Sequence, residues 1–215
     1  VGTTTIKWNV TDIHTNAAVE VTQTVTVTDN ELPVITTNGD KSVNNDFGVC
    51  GAAVTVSASA TDNCGVSGTR SGERSDAQAL NAVYPVGTTT ITWTVTDIHG
   101  NTQMAIQTII VTDNEIPVIT TNGNKSVNND PSLCSAAVTV SASATDNCGV
   151  GTPTGVRSDA QALNAPYPVG TTTITWNATD ANGKAAVPVT QTVTVTDNEN
   201  PAITAPANIS INANS

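Results

Sequence analysis

Seven residues, Val111-Thr112-Asp113-Asn114-Glu115-Ile116-Pro117, return on either side as Val27-Thr28-Asp29-Asn30-Glu31-Leu32-Pro33 and Val195-Thr196-Asp197-Asn198-Glu199-Asn200-Pro201. The first aspartates fall at 29, 113 and 197, so the interval is 84 residues both times (113 − 29 and 197 − 113). Such self-similarity rules out one large domain and makes each interval a folding unit in series. A unit of this size holds one modest hydrophobic core. The boundaries read as the end of a repeat at 1–31, complete repeats at 32–115 and 116–199, and the start of another at 200–215.

Within each interval the pattern is that of strands. In Thr5-Ile6-Lys7-Trp8-Asn9-Val10, apolar residues alternate with polar ones, and Ile91, Trp93 and Val95 repeat the pattern, as do Ile174 and Trp176. Period two with β-branched residues marks a half-buried strand. Val21–Val27, Ala53–Ala60 and Gln107–Thr112 alternate likewise, with Val54, Val56, Ala58 and Ala60 on one face. Asn38-Gly39, Tyr84-Pro85-Val86-Gly87 and Ile98-His99-Gly100-Asn101 read as turns and loops. Residues 66–82 read as two or three short strands with turns. Aromatic residues are only 3% of the chain, so the core is built from small branched side chains, and Trp8, Trp93 and Trp176 are expected inside it. About seven short strands with frequent turns and no helical period predict an all-β fold of tandem immunoglobulin-like sandwiches.

Composition narrows the function. The net charge is −11, with seven Lys plus Arg. That lacks the clustered basic side chains that nucleic acid or an anionic membrane surface requires. No apolar run approaches the roughly 18–20 residues that span a bilayer, so no membrane insertion is expected in this segment. No nucleophile–base constellation, phosphate loop or metalloprotease motif occurs, and an enzyme is not expected. His14 and His99 occupy corresponding loops and read as solvated. Arg74 and Arg157 recur in Arg-Ser-Asp-Ala-Gln-Ala-Leu-Asn-Ala and read as structural pairs with a nearby acid.

Thr-Asp-Asn-Cys-Gly (61–65 and 145–149), Tyr-Pro-Val-Gly-Thr-Thr-Thr-Ile-Thr-Trp (84–93 and 167–176) and the closing Val-Thr-Asp-Asn-Glu-x-Pro resemble the HYR (hyalin repeat) family in register in both complete copies. The resemblance implies an immunoglobulin-like sandwich found in tandem in extracellular proteins. These include adhesins and gliding-motility adhesins of Bacteroidetes. Many relatives carry two further cysteines, at places held here by Thr37 and Ala105, so their disulfide connectivity does not transfer.

On an immunoglobulin-like path, three acidic stretches converge at the N-terminal end of a repeat. Asp29, Asn30 and Glu31 arrive from the preceding repeat, Asp62 and Asn63 follow the second strand, and Asp97 ends the strand through Trp93. The next joint gathers Asp113, Asn114, Glu115, Asp146, Asn147 and Asp180. Carboxylates brought this close must separate, protonate or share a cation, and calcium, which takes 6–8 oxygen ligands, suits such a set. The competing reading is that Asp and Asn cap turns for local hydrogen-bonding reasons.

Each complete repeat has two cysteines, which suggests Cys50–Cys64 and Cys134–Cys148 in an oxidising setting. A straight strand across 52–60 would hold such a pair roughly 27 Å apart at about 3.3 Å per residue. Either the segment folds back, or the cysteines are free or pair across chains. A fold-back would also displace Asp62.

Together these features predict an extracellular or cell-surface stalk or filament segment stiffened by calcium at its joints. Its partners are the neighbouring repeats and, in a filament, other copies. The alternatives are a module that binds a glycan or protein ligand through its loops, and a repeat that assembles laterally into a fibre through its strand edges.

Overall fold

A computed structural model describes residues 1–211. It is all-β, with no helix among the described residues, and it forms two compact units, Val1–Asn114 and Glu115–Ser215. The first opens with β1 (Gly2–Trp8) and β2 (Val21–Val27), paired antiparallel from Gly2↔Val27 to Trp8↔Val21.

The unit continues with β3 (Val34–Thr37), β4 (Lys41–Asn44), β5 (Gly51–Ala52), β6 (Ala58–Thr61), β7 (Val66–Arg74), β8 (Tyr84–Pro85), β9 (Gly87–Asp97) and β10 (Thr102–Thr112). One sheet has the order β4-β10-β9-β7, with β4 parallel to β10 and the other pairs antiparallel. The facing layer is β3 against β6 and β5 against β8. This is an immunoglobulin-like sandwich. The second unit repeats it with β11 (Val118–Thr121), β12 (Lys125–Asn128), β13 (Ser135–Ala136), β14 (Ala142–Thr145), β15 (Thr154–Arg157), β16 (Tyr167–Pro168), β17 (Gly170–Asn177) and β18 (Val189–Thr196). Its four-stranded sheet has the order β12-β18-β17-β15.

The inward residues of β9 and β10 are Thr89, Ile91, Trp93, Val95, Gln107, Ile109 and Val111, all buried. Ala52, Val54, Val56, Ala58, Leu80 and Tyr84 pack against them from the other side. The alternation expected over 53–60 is present, with Val54, Val56, Ala58 and Ala60 turned inward. The backbone ladder, however, covers only residues 58–60 of that stretch, in β6, and leaves 53–57 between β5 and β6 outside it. Asn38 explains the gap. Its side chain donates to Thr55 O at 3.0 Å and accepts from Ser57 N at 3.2 Å, and its own amide donates to Ser57 O at 3.0 Å. One side chain thus takes over the middle of a strand pairing. Gln107 reaches the same corner, donating Nε2 to Asn38 Oδ1 at 2.8 Å while its Oε1 accepts Trp93 Nε1 at 3.0 Å. Gln191, Asn122 and Trp176 repeat this link in the second unit.

Residues 66–82, expected to hold two or three short strands with turns, form the single strand β7 followed by a loop that wraps a buried arginine. Arg74 donates Nε to Asp76 at 2.9 Å, and its two Nη groups reach Asp76, Ala79 O, Ala82 O and Val83 O. Its guanidinium lies 3.7 Å over the Tyr84 ring. All five donors are used, which lets the charge be buried. Arg157, Asp159 and Tyr167 do the same in the second unit.

Two expectations need correction. Trp8 is 56% exposed, whereas Trp93 and Trp176 are buried, because among the described residues β1 and β2 have no opposing sheet. Tyr84-Pro85, read as a turn, is a short strand on β5.

Gly72 faces Trp93 so closely that an added Cβ would lie 2.8 Å from Cζ3 and 3.1 Å from Leu80 Cδ1. Gly72→Ala should therefore destabilise the first unit by about 1–3 kcal/mol, the usual cost of overpacking, as read by urea unfolding. The bond from Arg74 holds the Asp76 carboxyl below its ordinary range. A depressed carboxyl stabilises the fold above its unfolded value near 3.9 and loses that contribution as pH falls. Asp76→Asn should accordingly flatten the acid limb of the stability profile below about pH 4, measured by urea unfolding across pH.

Candidate metal centre

Antiparallel pairing places the end of β6 and the end of β9 at the edge of the sandwich where β3 begins. Val34 pairs with Thr61, and Val66 with Asp97. The chain leaving β2 arrives at this edge. Asn101 Nδ2 there donates to Asp29 O at 3.4 Å, and Ile98 N donates to Gly65 O at 3.2 Å.

Three aspartates meet here. Asp29, Asp62 and Asp97 each present a carboxylate oxygen within 4.8 Å of the others. Asp97 is 2% exposed and fully engaged. Its Oδ1 accepts the amides of His99 at 2.8 Å and Asn101 at 2.9 Å, and its Oδ2 accepts Asn101 Nδ2 at 2.7 Å. Burial pushes this carboxyl up, but the bonds from Asn101, His99 and Gly100 outweigh it and hold the group low. Asp62 accepts Cys64 N at 2.8 Å in a local turn. Asp29 differs from both. Its Oδ1 takes the Glu31 amide at 3.1 Å. Its Oδ2 is buried without a hydrogen bond, on a side chain only 2% exposed. His99 Nδ1 stands 3.2 Å from that oxygen, close enough for an ion pair but outside hydrogen-bond geometry.

The other residues expected in this set divide. Asn30, Glu31 and Asn63 are exposed. In the second unit Asp146 and Asp180 present carboxylate oxygens within 4.8 Å of each other. Asp146 accepts Cys148 N at 2.8 Å, and Asp180 accepts the amides of Asn182 and Lys184, both at 2.8 Å. Each keeps a buried Oδ2 with no hydrogen bond. Asn147 beside them is half-buried. Asp113, Asn114 and Glu115 stand at the register of Asp29, Asn30 and Glu31. Asp113 is 2% exposed, and Asn114 donates its amide to Asn45 Oδ1 at 2.9 Å.

Two side chains at the first site were assigned elsewhere by sequence. His99, read as a solvated loop histidine, borders Asp29, and Cys64 lies with them, its thiol within 4.8 Å of ligand atoms on both. Their spacing is the available signal, since each stands two residues beyond an aspartate whose carboxylate turns its loop.

The intradomain disulfides do not form. Cys64 and Cys134 are free thiols, and Cys50 and Cys148 are disulfide-bonded. Residues 51–61 stay extended between β5 and β6, and ten residues of strand span about 33 Å. Cys50 and Cys64 therefore lie at opposite ends, far beyond the roughly 4.4–6.8 Å a disulfide allows. The straight path that prevents this bond also keeps Asp62 at the site.

No family model matches the chain, and no curated protein matches it in sequence. Among solved structures, it is similar to the fibronectin(III)-like modules of Clostridium thermocellum CbhA, with 16% identity over 80% of this chain and 100% of that one, at a TM-score of 0.32. It is similar to Drosophila N-cadherin EC1-4, with 12% identity over 83% of this chain and 53% of that one, at a TM-score of 0.36. A Ca2+-stabilized ice-binding adhesin of an Antarctic bacterium shares 20% identity over 92% of this chain and 57% of its own, at a TM-score of 0.30.

Burial raises the Cys64 thiol first, and the negative charges of Asp29 and Asp62 raise it further. Alkylation of the native chain near neutral pH should mark exposed Cys134 quickly and Cys64 slowly, since the thiolate is the nucleophile. Cys50 and Cys148 should react only after reduction. Peptide mass spectrometry reads all four.

Proposed function

We propose that the chain is a segment of an extracellular stalk built from HYR-type immunoglobulin-like repeats. Calcium at the head of a repeat ties it to the strand that arrives from the repeat before. The observation that carries this reading is the meeting of Asp29, Asp62 and Asp97 within 4.8 Å, together with the buried Asp29 Oδ2 that no hydrogen bond reaches. A buried carboxylate oxygen without a donor costs about 1–3 kcal/mol or more, and three carboxylates repel. A hard dication removes both penalties at once. Calcium tolerates irregular shells of 6–8 oxygens, so loop carbonyls and water can complete a set in which Asp97 is already bonded elsewhere. The same chemistry extends by register to Asp146 and Asp180.

Asp29 stands at the end of one repeat, while Asp62 and Asp97 belong to the next. An ion held by all three opposes bending where one repeat passes into another. The acidic chain, poor in Lys and Arg, fits a surface stalk and not a nucleic-acid binder. The segment then works mechanically, holding a distal region away from the surface.

Thermal unfolding in calcium and then in excess EGTA tests this. Extracellular calcium modules bind at about 10⁻⁴–10⁻³ M, so 10 mM calcium should add about 1.4–2.7 kcal/mol and raise the midpoint of the first unit by several degrees. Asp29→Asn should remove most of that gain. Midpoints that coincide with and without calcium would sink the proposal.

A further inference from the structure

We infer that Asp29, Cys64 and His99 form a second kind of site at the same edge, one for a borderline transition-metal dication of which zinc is the reference case. The Cys64 Sγ, a His99 ring nitrogen and an Asp29 carboxylate oxygen lie within 4.8 Å of one another. They come from three separate stretches, the tail of β2, the loop after β6 and the loop after β9. Asp29 supplies the independent pointer to a cation. Its side chain is 2% exposed, and its Oδ2 is buried with no hydrogen bond although an imidazole nitrogen stands 3.2 Å away.

The donor set decides the class of ion. Thiolate and imidazole are poor ligands for calcium and good ones for zinc, cobalt and copper. Sulfur, nitrogen and one carboxylate are three of the ligands of a tetrahedral zinc shell, at about 2.3, 2.0–2.1 and 2.0–2.2 Å. Asp62 or water can supply the fourth. Binding breaks the Cys64 S–H bond, forms a metal–sulfur bond and releases one proton to solvent, with no change of oxidation state.

The two repeats differ at these positions. Cys148, at the register of Cys64, is disulfide-bonded, and Asn182 occupies the turn position of His99. The sulfur and nitrogen donors therefore coincide only in the first repeat. Asp29 is shared with the proposed calcium site, so the two ions compete, yet neither proposal requires the other.

Cobalt(II) serves as the probe. The chain as isolated, without added reductant, should bind one equivalent and show a thiolate-to-cobalt charge-transfer band, which equimolar zinc abolishes. Cys64→Ser should remove the band and weaken zinc binding more than about 100-fold, beyond the range of losses outside the ligand shell. His99→Asn, which installs the residue of the second repeat, should also remove the band. Cys134→Ser should leave it unchanged. A band that survives Cys64→Ser, cobalt bound without any band, or a Cys64 found disulfide-bonded in the protein from its source would overturn the inference. The calcium-dependent midpoint of Cys64→Ser separates the two sites, because it persists if only the zinc site fails.

Discussion

A buried amide holds each sandwich together. Gln107 has no exposed surface, and its carbonyl and amino group both have partners within the core. The indole of Trp93 is fixed on one side of it and the Asn38 corner on the other. Asn38 in turn grips the strand between β5 and β6. The two layers are thus registered by polar contacts inside an apolar core, where an unpaired partner would be costly. Small side chains such as Val and Ala pack without strong shape preference, so this network supplies a specificity that their volume does not. Register between the layers in turn decides that β6 and β9 end side by side, which brings Asp62 and Asp97 together.

Much of this was legible in the sequence because strands declare themselves by alternation. Ile91, Trp93 and Val95 face inward as their pattern required, and the fold class follows from such stretches. The convergence of Asp29, Asp62 and Asp97 followed from strand direction alone. The polar core was less legible. Gln23, Gln107 and Gln191 recur at the repeat interval, yet an isolated glutamine reads as a surface residue until its tryptophan is known. Arg74 and Arg157 pair with a nearby acid, Asp76 and Asp159, as their recurrence suggests, but the loop each one organises is not legible, because its order comes from one guanidinium and from backbone carbonyls with no sequence signature. Trp8 was misplaced because alternation states which face is apolar and says nothing of whether a second sheet covers it. The cysteines were misassigned because composition pairs residues within a repeat, while the length of an extended strand forbids that pairing.

The aspartates at the candidate centre divide the work. Asp97 spends its oxygens on the loop that follows it and so shapes the site. Asp29 keeps an oxygen uncommitted in a place that water does not reach. A scaffold carboxylate and a ligand carboxylate can therefore be told apart by counting donors, although the residue type is the same. In the second unit Asp180 combines both roles, with one oxygen in its turn and the other uncommitted.

The parallel pairing of β4 with β10 has a consequence for load. β4 lies near the start of the repeat and β10 at its end, and they run side by side from Lys41↔Ile109 to Asn44↔Thr112. Tension drawn through the chain pulls these two strands in opposite senses along their own axes. The rungs between them then resist together, in shear, instead of opening one after another as in a peeled hairpin. That four-residue ladder, with the pairing of β3 on β6 that precedes it in the chain, is what such tension has to break before the sandwich opens.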